Sequence, residues 1–213
     1  MRSLRTFAMP ALALMMAAGG AFADTETYKI DPSHSNVGFS IRHFFSKVPG
    51  KFKTYEGTIT LDPKDLSKTL VEVTIDTASI DTGNGDRDSH LQSSDFFDAA
   101  KFPKTTFKST AVTPQGTTKA TLKGELTMHG VTKPVTLEAE VLGFSPDPWG
   151  NYRAGFEAKT KINRQDFGIS WNKVVEGGGS VLSDDVEITI NIEGVRPAPK
   201  PATPPATPAP KKN

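Results

Sequence analysis

Apolar side chains recur at every second position in most segments of this chain between residues 27 and 192, and this period of two restricts the fold more than any other feature. In "ATLKGELTM" the residues Ala120, Leu122, Leu126 and Met128 share one side, and polar residues occupy the other. Such alternation predicts a strand with one dry face and one wet face. Short loops such as "TPQGT" and "PDPWGN" separate the segments. They predict hairpins, and therefore mainly antiparallel pairing.

The predicted strands cover residues 27–31, 37–43, 52–62, 69–76, 105–113, 118–128, 135–144, 152–162 and 186–192. Eight or nine such strands suit a closed barrel or a two-sheet sandwich, and a closed barrel has the advantage of leaving no exposed edge. Helix is sparse. The segment "GDRDSHLQSSDFFD" predicts one short helix with Asp86 and Asp88 near its start, and "NRQDFG" predicts one further turn.

The two ends of the chain differ in composition from the middle. Arg2 and Arg5 precede an apolar run that ends in Ala21-Phe22-Ala23, which predicts a cleaved secretory signal peptide at residues 1–23. Residues 196–213 hold seven of the 16 prolines and predict an extended, disordered tail. The intervening residues, 24–195, are expected to form one domain. Because that domain has no apolar run of membrane-spanning length, no integral membrane span is expected.

Charge and cysteine content exclude several classes of function. Without the signal and the tail, 19 Lys and Arg remain against 24 Asp and Glu, so the domain charge is about minus five. A nucleic-acid-binding domain normally shows a basic excess, and no nucleic acid partner is expected. The absence of cysteine excludes disulfides, thiol catalysis and thiolate metal sites.

One segment, "SHSNVGFSIRHFFSKVPGKF", has an unusually aromatic strand with a histidine in its apolar row. Either a packed core or a cavity for an apolar guest with one polar end would explain this composition, and the residues alone do not decide between them. His43 would offer a hydrogen bond to the polar end of such a guest. The candidate lining residues of the interior are Val37, Phe39, Ile41, His43, Phe52, Phe96, Phe97, Phe102, Phe107, Phe156, Phe167, Ile169 and Trp171.

Four motifs in order resemble the YceI-like family of secreted bacterial proteins: "YKIDPSHSNVGFSIRHFFSKVPGKF", "HLQSSDFFDAAKFPKTTF", "GELTMHGVTKPVTL" and "INRQDFGISWN". The resemblance spans nearly all of residues 24–195. It implies an extended lipocalin-like antiparallel barrel of eight strands. It also implies a periplasmic location and an internal cavity that binds a polyisoprenoid or related amphiphilic lipid. On this interpretation an isoprenoid lipid or quinone is the ligand, no cofactor is needed, and a homodimer remains open.

The remaining polar residues favour structural roles. His34 is expected to fix a turn, and His90 and His129 are expected to be structural or exposed. The four histidines lack the spacing of a metal site. Arg164 and Asp166 are predicted to form an ion pair. The segment "EGGGS" at residues 176–180 is interpreted as a lid or hairpin tip.

Two alternatives to a lipid carrier stay open at this level. One is an enzyme that acts on a lipid-like substrate, with His43 or the acidic segment 81–90 supplying acid and base groups. The other is a ligand-free stress protein with a filled interior.

Overall fold

The computed structural model describes residues 25–175 and 179–198. The predicted signal peptide, residues 176–178 of the predicted lid or hairpin tip, and most of the predicted tail lie outside these ranges. The described strands are β1 Glu26–Ile30, β2 Asn36–His43, β3 Ser46–Phe52, β4 Tyr55–Asp62, β5 Asp65–Asp76, β6 Ile80–Asp81, β7 Lys104–Gln115, β8 Lys119–Met128, β9 Val131–Pro146, β10 Asn151–Asn163, β11 Val174–Val175, β12 Gly179–Ser180 and β13 Leu182–Pro197. The helix α1 spans Gly85–Gln92. Short 3-10 turns occupy Pro32–His34, Thr77–Ser79 and Arg164–Phe167.

Eight strands form a closed antiparallel barrel, as the sequence predicted. Their order is β1-β4-β5-β7-β8-β9-β10-β13, and β1 pairs with both β4 and β13, which closes the ring. Closure satisfies the backbone hydrogen bonds on both sides of these strands. The inward positions of each strand supply the apolar side chains of the interior.

A second sheet segment extends the barrel wall at one end. The long strand β13 pairs with β2 through residues 182–191 and with β1 at residues 194–195. Strand β2 then pairs with β3, and β3 pairs with β6 only at Lys51 and Phe52. The sequence did not predict β3, because Pro49 and Gly50 are typical of a turn. Proline is tolerated there because that part of β3 has no second neighbour. The sequence analysis placed Phe52 at the start of the strand 52–62, whereas Phe52 ends β3 and the next strand begins at Tyr55.

The helix α1 begins and ends where its capping residues require. The Asn84 side chain accepts a hydrogen bond from the Arg87 amide at 2.9 Å, and Asp86 and Asp88 lie in the first turn. Acidic side chains are favourable at this end of the helix dipole. The turn predicted at "NRQDFG" is also confirmed, and Gly168 ends it with a left-handed φ of 76°.

A polar cluster lies at the end of the barrel opposite α1. The Arg196 guanidinium donates to Glu26, whose carboxylate also accepts from the Tyr28 hydroxyl at 2.6 Å. Tyr28 is fully buried, and Arg196 also lies over the ring of Tyr152 at 4.5 Å. Burial, which is the main cause, raises the pKa of Tyr28. Arg196 therefore belongs to the last barrel strand, which corrects the expectation that the tail begins there.

Candidate binding cavity

The barrel encloses an apolar cavity of about 450 Å³. Every one of the eight barrel strands contributes lining side chains. Representative ones, in barrel order, are Ile30, Ile59, Val73, Phe107, Leu122, Leu137, Phe156 and Ile190. This volume lies within the range of roughly 300–1,000 Å³ that is typical of small-molecule sites.

Most of the predicted lining residues surround this cavity. They are Val37, Phe39, Ile41, His43, Phe52, Phe96, Phe97, Phe107, Phe156, Ile169 and Trp171. The first four come from one face of β2, as the alternation predicted.

Phe102 and Phe167 do not line the cavity, which corrects the expectation for these two residues. Phe102 packs against His129, whereas Phe167 is buried in the core cluster that also contains Phe96, Met128, Ile162 and Ile169. The ring of Phe102 meets the His129 ring edge-on at a centroid distance of 4.8 Å. Phe167 is 1% exposed, and its carbonyl oxygen lies 3.0 Å from His129 Nδ1. Both rings therefore pack against other residues of the protein and not against the cavity. The contacts of His129 agree with the structural role that was expected of it.

Two phenylalanine rings lie flat against the wall because glycines face them. A Cβ atom on Gly50 would lie 2.3 Å from Phe39 Cζ, and one on Gly124 would lie 2.4 Å from Phe107 Cζ. Such distances are far inside van der Waals contact, so a larger residue at either position requires the ring to move. Glycine inside a strand commonly marks this kind of close approach. The rings thereby cover the wall and leave the centre of the barrel open.

A row of alanines on β8, β9 and β10 widens the cavity. Ala120 pairs directly with Ala139, and Ala139 pairs directly with Ala158, on three neighbouring strands. All three line the cavity. Since their side chains end at Cβ, they leave space that larger residues at inward positions would fill.

We expect Gly50→Ala to weaken lipid binding about tenfold, because the new methyl group displaces the Phe39 ring into the lumen and such overpacking costs about 1–3 kcal/mol. The measurement is a binding titration with a long-chain polyprenol. The matched control is Gly50→Ala combined with Phe39→Leu, which removes the colliding ring and restores most of the affinity. Equal loss in the single and double variants would contradict the role given to the ring.

The α1 end of the cavity carries a polar and aromatic rim. His90 lines the cavity, and its Nε2 atom lies 2.8 Å from Asp95 Oδ2. The Phe96 and Trp171 rings each meet the imidazole edge-on, at centroid distances of 5.0 and 5.1 Å. The imidazole is therefore fixed at the mouth of the cavity. The sequence analysis expected His90 to be structural or exposed, apart from the enzyme alternative that used segment 81–90, and did not place it at the cavity. The helix α1 and the loop after it have no sequence pattern that indicates where the His90 side chain lies.

Arg87 and Thr82 extend the same rim. Arg87 Nε donates to Thr82 Oγ1 at 2.7 Å, and Nη2 donates to the Thr82 carbonyl at 2.9 Å. Asp88 in turn accepts from the Thr82 amide and hydroxyl groups. This arrangement orients the guanidinium beside the opening. His43 reaches the rim from the end of β2, where its side chain is exposed.

Arg164 holds the loop that completes this end of the cavity. The residue is 3% exposed, and its Nη1 atom donates to the carbonyl oxygens of Ile169 and Trp171, both at 2.8 Å. Its Nε atom donates to the Ser183 carbonyl at 3.0 Å. Burial lowers the pKa of Arg164, and the nearby Asp184 opposes this effect.

The ion pair predicted between Arg164 and Asp166 is wrong. Arg164 Nη2 contacts Asp184 Oδ1 instead, at 3.2 Å. The guanidinium points back under the loop because three carbonyl oxygens lie there, whereas Asp166 is exposed. Asp184 lies at the start of β13, and no sequence pattern connects it with Arg164.

One group of potential metal ligands occurs among residues 25–175 and 179–198. It consists of Asp31, His34 and Glu193. Arg153 Nη1 contacts both carboxylates, so an arginine already supplies the positive charge at this position. Hydrogen bonds from His34 and Arg153 hold the pKa of Asp31 below its ordinary value. His34 thus fixes the turn before β2, as the sequence predicted.

Comparison with known proteins decides the family. The model of the YceI-like domain matches residues 28–194. The chain belongs to the YceI-like family. Protein YceI of Escherichia coli O157:H7 is 45% identical over 186 residues, which cover 86% of this chain and 93% of that relative.

Solved structures agree with the barrel of this YceI-like protein. BcnA of Burkholderia cenocepacia is 26% identical, with a TM-score of 0.68 and coverage of 77% of this chain and 98% of BcnA. A polyisoprenoid binding domain from Saccharophagus degradans has a TM-score of 0.59, and the match covers 81% of this chain and 98% of that domain. Its identity of 17% supports a shared fold alone. Within the described ranges, no helix has the length and apolar character needed to cross a membrane.

Proposed function

We propose that this YceI-like protein binds a polyisoprenoid or a related amphiphilic lipid, such as a quinone, a prenyl chain or a fatty amide, and carries or sequesters it in the periplasm. The observation that supports this most strongly is the cavity, which is apolar along its length and has polar side chains at the α1 rim. The polyisoprenoid binding domain of similar fold is consistent with it. The predicted signal peptide supports the location.

Removal of the hydrocarbon from water is the main source of affinity in this proposal. At about 0.8 kcal/mol per buried CH₂, one five-carbon isoprene unit contributes roughly 3–4 kcal/mol before costs. Ordering and desolvation reduce the net yield for larger ligands to about 0.3 kcal/mol per atom. One unit then contributes about 1.5 kcal/mol, or about a tenfold change in Kd. Chain length should therefore control affinity more than the head group does.

The polar head is proposed to lie at the α1 rim. Arg87, His90 and His43 offer N–H donors there, and Trp171 offers an aromatic face. The ion pair of Glu26 with Arg196 lies at the opposite end of the barrel. A quinone, hydroxyl or amide head fits a rim of donors, while the tail extends between the barrel strands.

Binding without chemical conversion fits this rim better than catalysis does. His90 is held by Asp95, and the two nitrogens of Arg87 are held by Thr82. These contacts orient the side chains, but they do not place a nucleophile beside a general base. We therefore propose a binding protein rather than an enzyme.

Native mass spectrometry of the freshly purified protein tests the proposal directly. A bound mass that extraction identifies as an isoprenoid or similar lipid is expected. Turnover of that lipid would favour an enzyme instead. A protein that stays ligand-free and does not take up added polyprenols or fatty amides would overturn the proposal.

The alanine row provides a test of chain length. We expect Ala139→Phe to weaken binding of long polyprenols about 100-fold, because the ring removes room for about two isoprene units at roughly tenfold each. Short prenols that do not reach this level should bind as they do to the wild type. The measurement is Kd across a series of prenols of increasing length. The same loss at every length would show that the row does not limit the tail.

A further inference from the structure

The turn between β2 and β3 exposes two adjacent phenylalanines. Phe45 is 100% exposed and Phe44 is 45% exposed. Val174, at the start of β11, is 81% exposed. We call the two phenylalanines, together with the neighbouring aliphatic Val174, the aromatic tip. Single exposed apolar residues are common, but a fully exposed phenylalanine beside further exposed apolar side chains indicates a surface that contacts something.

The backbone at the tip is also unfavourable for its residue type. Phe44 has a φ of 49° in a two-residue hairpin turn that connects His43 to Ser46. Turns with positive φ at the first central position normally use glycine, and a bulky residue there is a steric outlier. Both solvent exposure and backbone geometry therefore oppose phenylalanine at residue 44. Strain of this kind is typical of functional positions.

Hydrogen bonds join the tip to the mouth of the cavity. The Phe44 amide donates to the Val181 carbonyl at 2.9 Å, and the Val181 amide donates to the Lys173 carbonyl at 3.0 Å. His43 and Leu182, which pair with each other across β2 and β13, both line the cavity. The aromatic tip thus lies directly beyond the rim through which a ligand would pass.

Basic residues flank the aromatic tip. Arg42 and Lys47 pair across the β2–β3 hairpin, and Lys173 precedes Val174 in the chain. Glu187 contacts Lys47 at 2.7 Å and balances that charge. Arg42 and Lys173 are both exposed. The domain as a whole is acidic, so this local arrangement differs from the average surface.

We propose that the aromatic tip inserts into the surface of a phospholipid bilayer that contains anionic lipids, and that it brings the cavity mouth to the membrane. Apolar side chains that enter the interface gain from leaving water, and each nearby Lys or Arg is attracted to anionic head groups. A protruding two-residue turn offers little area for a protein partner, which usually requires about 800 Å² on each side. Insertion into lipid requires only that the side chains protrude. The part of the proposal that concerns cargo transfer rests on the proposed function, whereas membrane contact does not.

Co-sedimentation of the purified protein with vesicles of phosphatidylethanolamine and phosphatidylglycerol tests this contact. Phe45→Ser is expected to weaken vesicle binding about 10- to 100-fold, in accordance with the loss of one buried aromatic side chain. Vesicles without phosphatidylglycerol should bind the wild type more weakly. The matched control is Trp149→Ser, which removes an aromatic residue that is 77% exposed in the β9–β10 hairpin, at the opposite end of the barrel. Unchanged vesicle binding by Phe45→Ser, or equal loss in Trp149→Ser, would overturn the proposal.

Phe44→Gly separates a membrane role from a structural one. Because glycine accepts the positive φ, this variant should have an unfolding temperature equal to or above that of the wild type, while its vesicle binding falls. If vesicle binding stays intact, the proposal fails. Light scattering distinguishes a second copy as the occupant: a wild-type dimer that Phe45→Ser converts to a monomer, without any vesicle binding, would also overturn it.

Binding of a polyprenol delivered from cyclodextrin, without vesicles, separates this proposal from the proposed function. Phe45→Ser should take up the polyprenol from cyclodextrin as the wild type does, but should transfer it between vesicles at least tenfold more slowly. Absence of polyprenol uptake in the wild type would contradict the lipid cavity and leave the vesicle result to be judged by itself.

Discussion

Phe39→Asp is expected to weaken polyprenol binding about 1,000-fold. The Phe39 ring lies over Gly50, and its centroid is 5.9 Å from that of the Phe52 ring, within the apolar lining. An aspartate there must either remain ionised and draw water into the cavity or become protonated, and both states oppose a hydrocarbon tail. Loss of about 4 kcal/mol corresponds to this change in Kd. The measurement is a Kd from titration with a fixed polyprenol.

Two variants control for size and for head-group contact. Phe39→Leu keeps the wall apolar, and its Kd should remain within about threefold of the wild type. His43→Ala should change Kd by no more than about threefold, because an exposed hydrogen bond contributes little net free energy. Unfolding in urea must show that each variant is folded. A larger loss in His43→Ala than in folded Phe39→Asp would mean that head-group recognition, rather than burial of the tail, determines affinity.

Arg164→Met is expected to lower the free energy of unfolding by about 3–5 kcal/mol. The substitution leaves the carbonyl oxygens of Ile169, Trp171 and Ser183 without the donors they now have. Each buried polar group that loses its partner costs about 1–3 kcal/mol. Since domains of this kind are stable by about 5–15 kcal/mol in total, the loss is a large fraction of that stability. Urea denaturation, with comparison of both midpoint and slope, measures it.

The matched control for Arg164→Met is Asp184→Asn. The Asp184 side chain is 47% exposed, so loss of this ion pair should cost less than about 1 kcal/mol. Similar costs in the two variants would assign the stabilisation to charge pairing instead of to the three carbonyl oxygens. Arg164→Met should also weaken lipid binding, because Ile169 and Trp171 line the cavity from the loop that Arg164 holds.

The barrel itself was predictable from the sequence. Alternation in β8 and β13 identified the inward faces, and the short turn-rich loops predicted mainly antiparallel pairing. The inward row of β2 was also predictable, from Val37 to His43, because a strand has only two faces. The number of strands left a closed barrel or a two-sheet sandwich open, and the resemblance to the YceI-like family implied the closed barrel.

The open interior was not predictable from the residues alone, because it depends on which residues oppose each other across strands. The role of Ala139 in widening the cavity is recognisable only when the strand register places Ala120 and Ala158 beside it. Gly50 likewise becomes informative only when the ring of Phe39 is known to lie over it. Arg164 was assigned to a neighbour in sequence, whereas its partners come from two other segments. Such contacts between distant parts of the chain have no local signal.

Strand β13 pairs both with the barrel and with the β2–β3 hairpin, and we expect these two parts of the sheet to differ in stability. Its 16 residues close the barrel near the carboxyl end and support β2 near the amino end. Beyond β2, the strand β3 contacts β6 at only two positions. Strand β3 can therefore detach while the eight barrel strands stay paired. Amide hydrogen exchange should then be fast in residues 46–50 and slow in β8 and β10, with the two rates responding differently to denaturant. Local unfolding of β3 can therefore open the mouth of the cavity while the eight barrel strands stay folded.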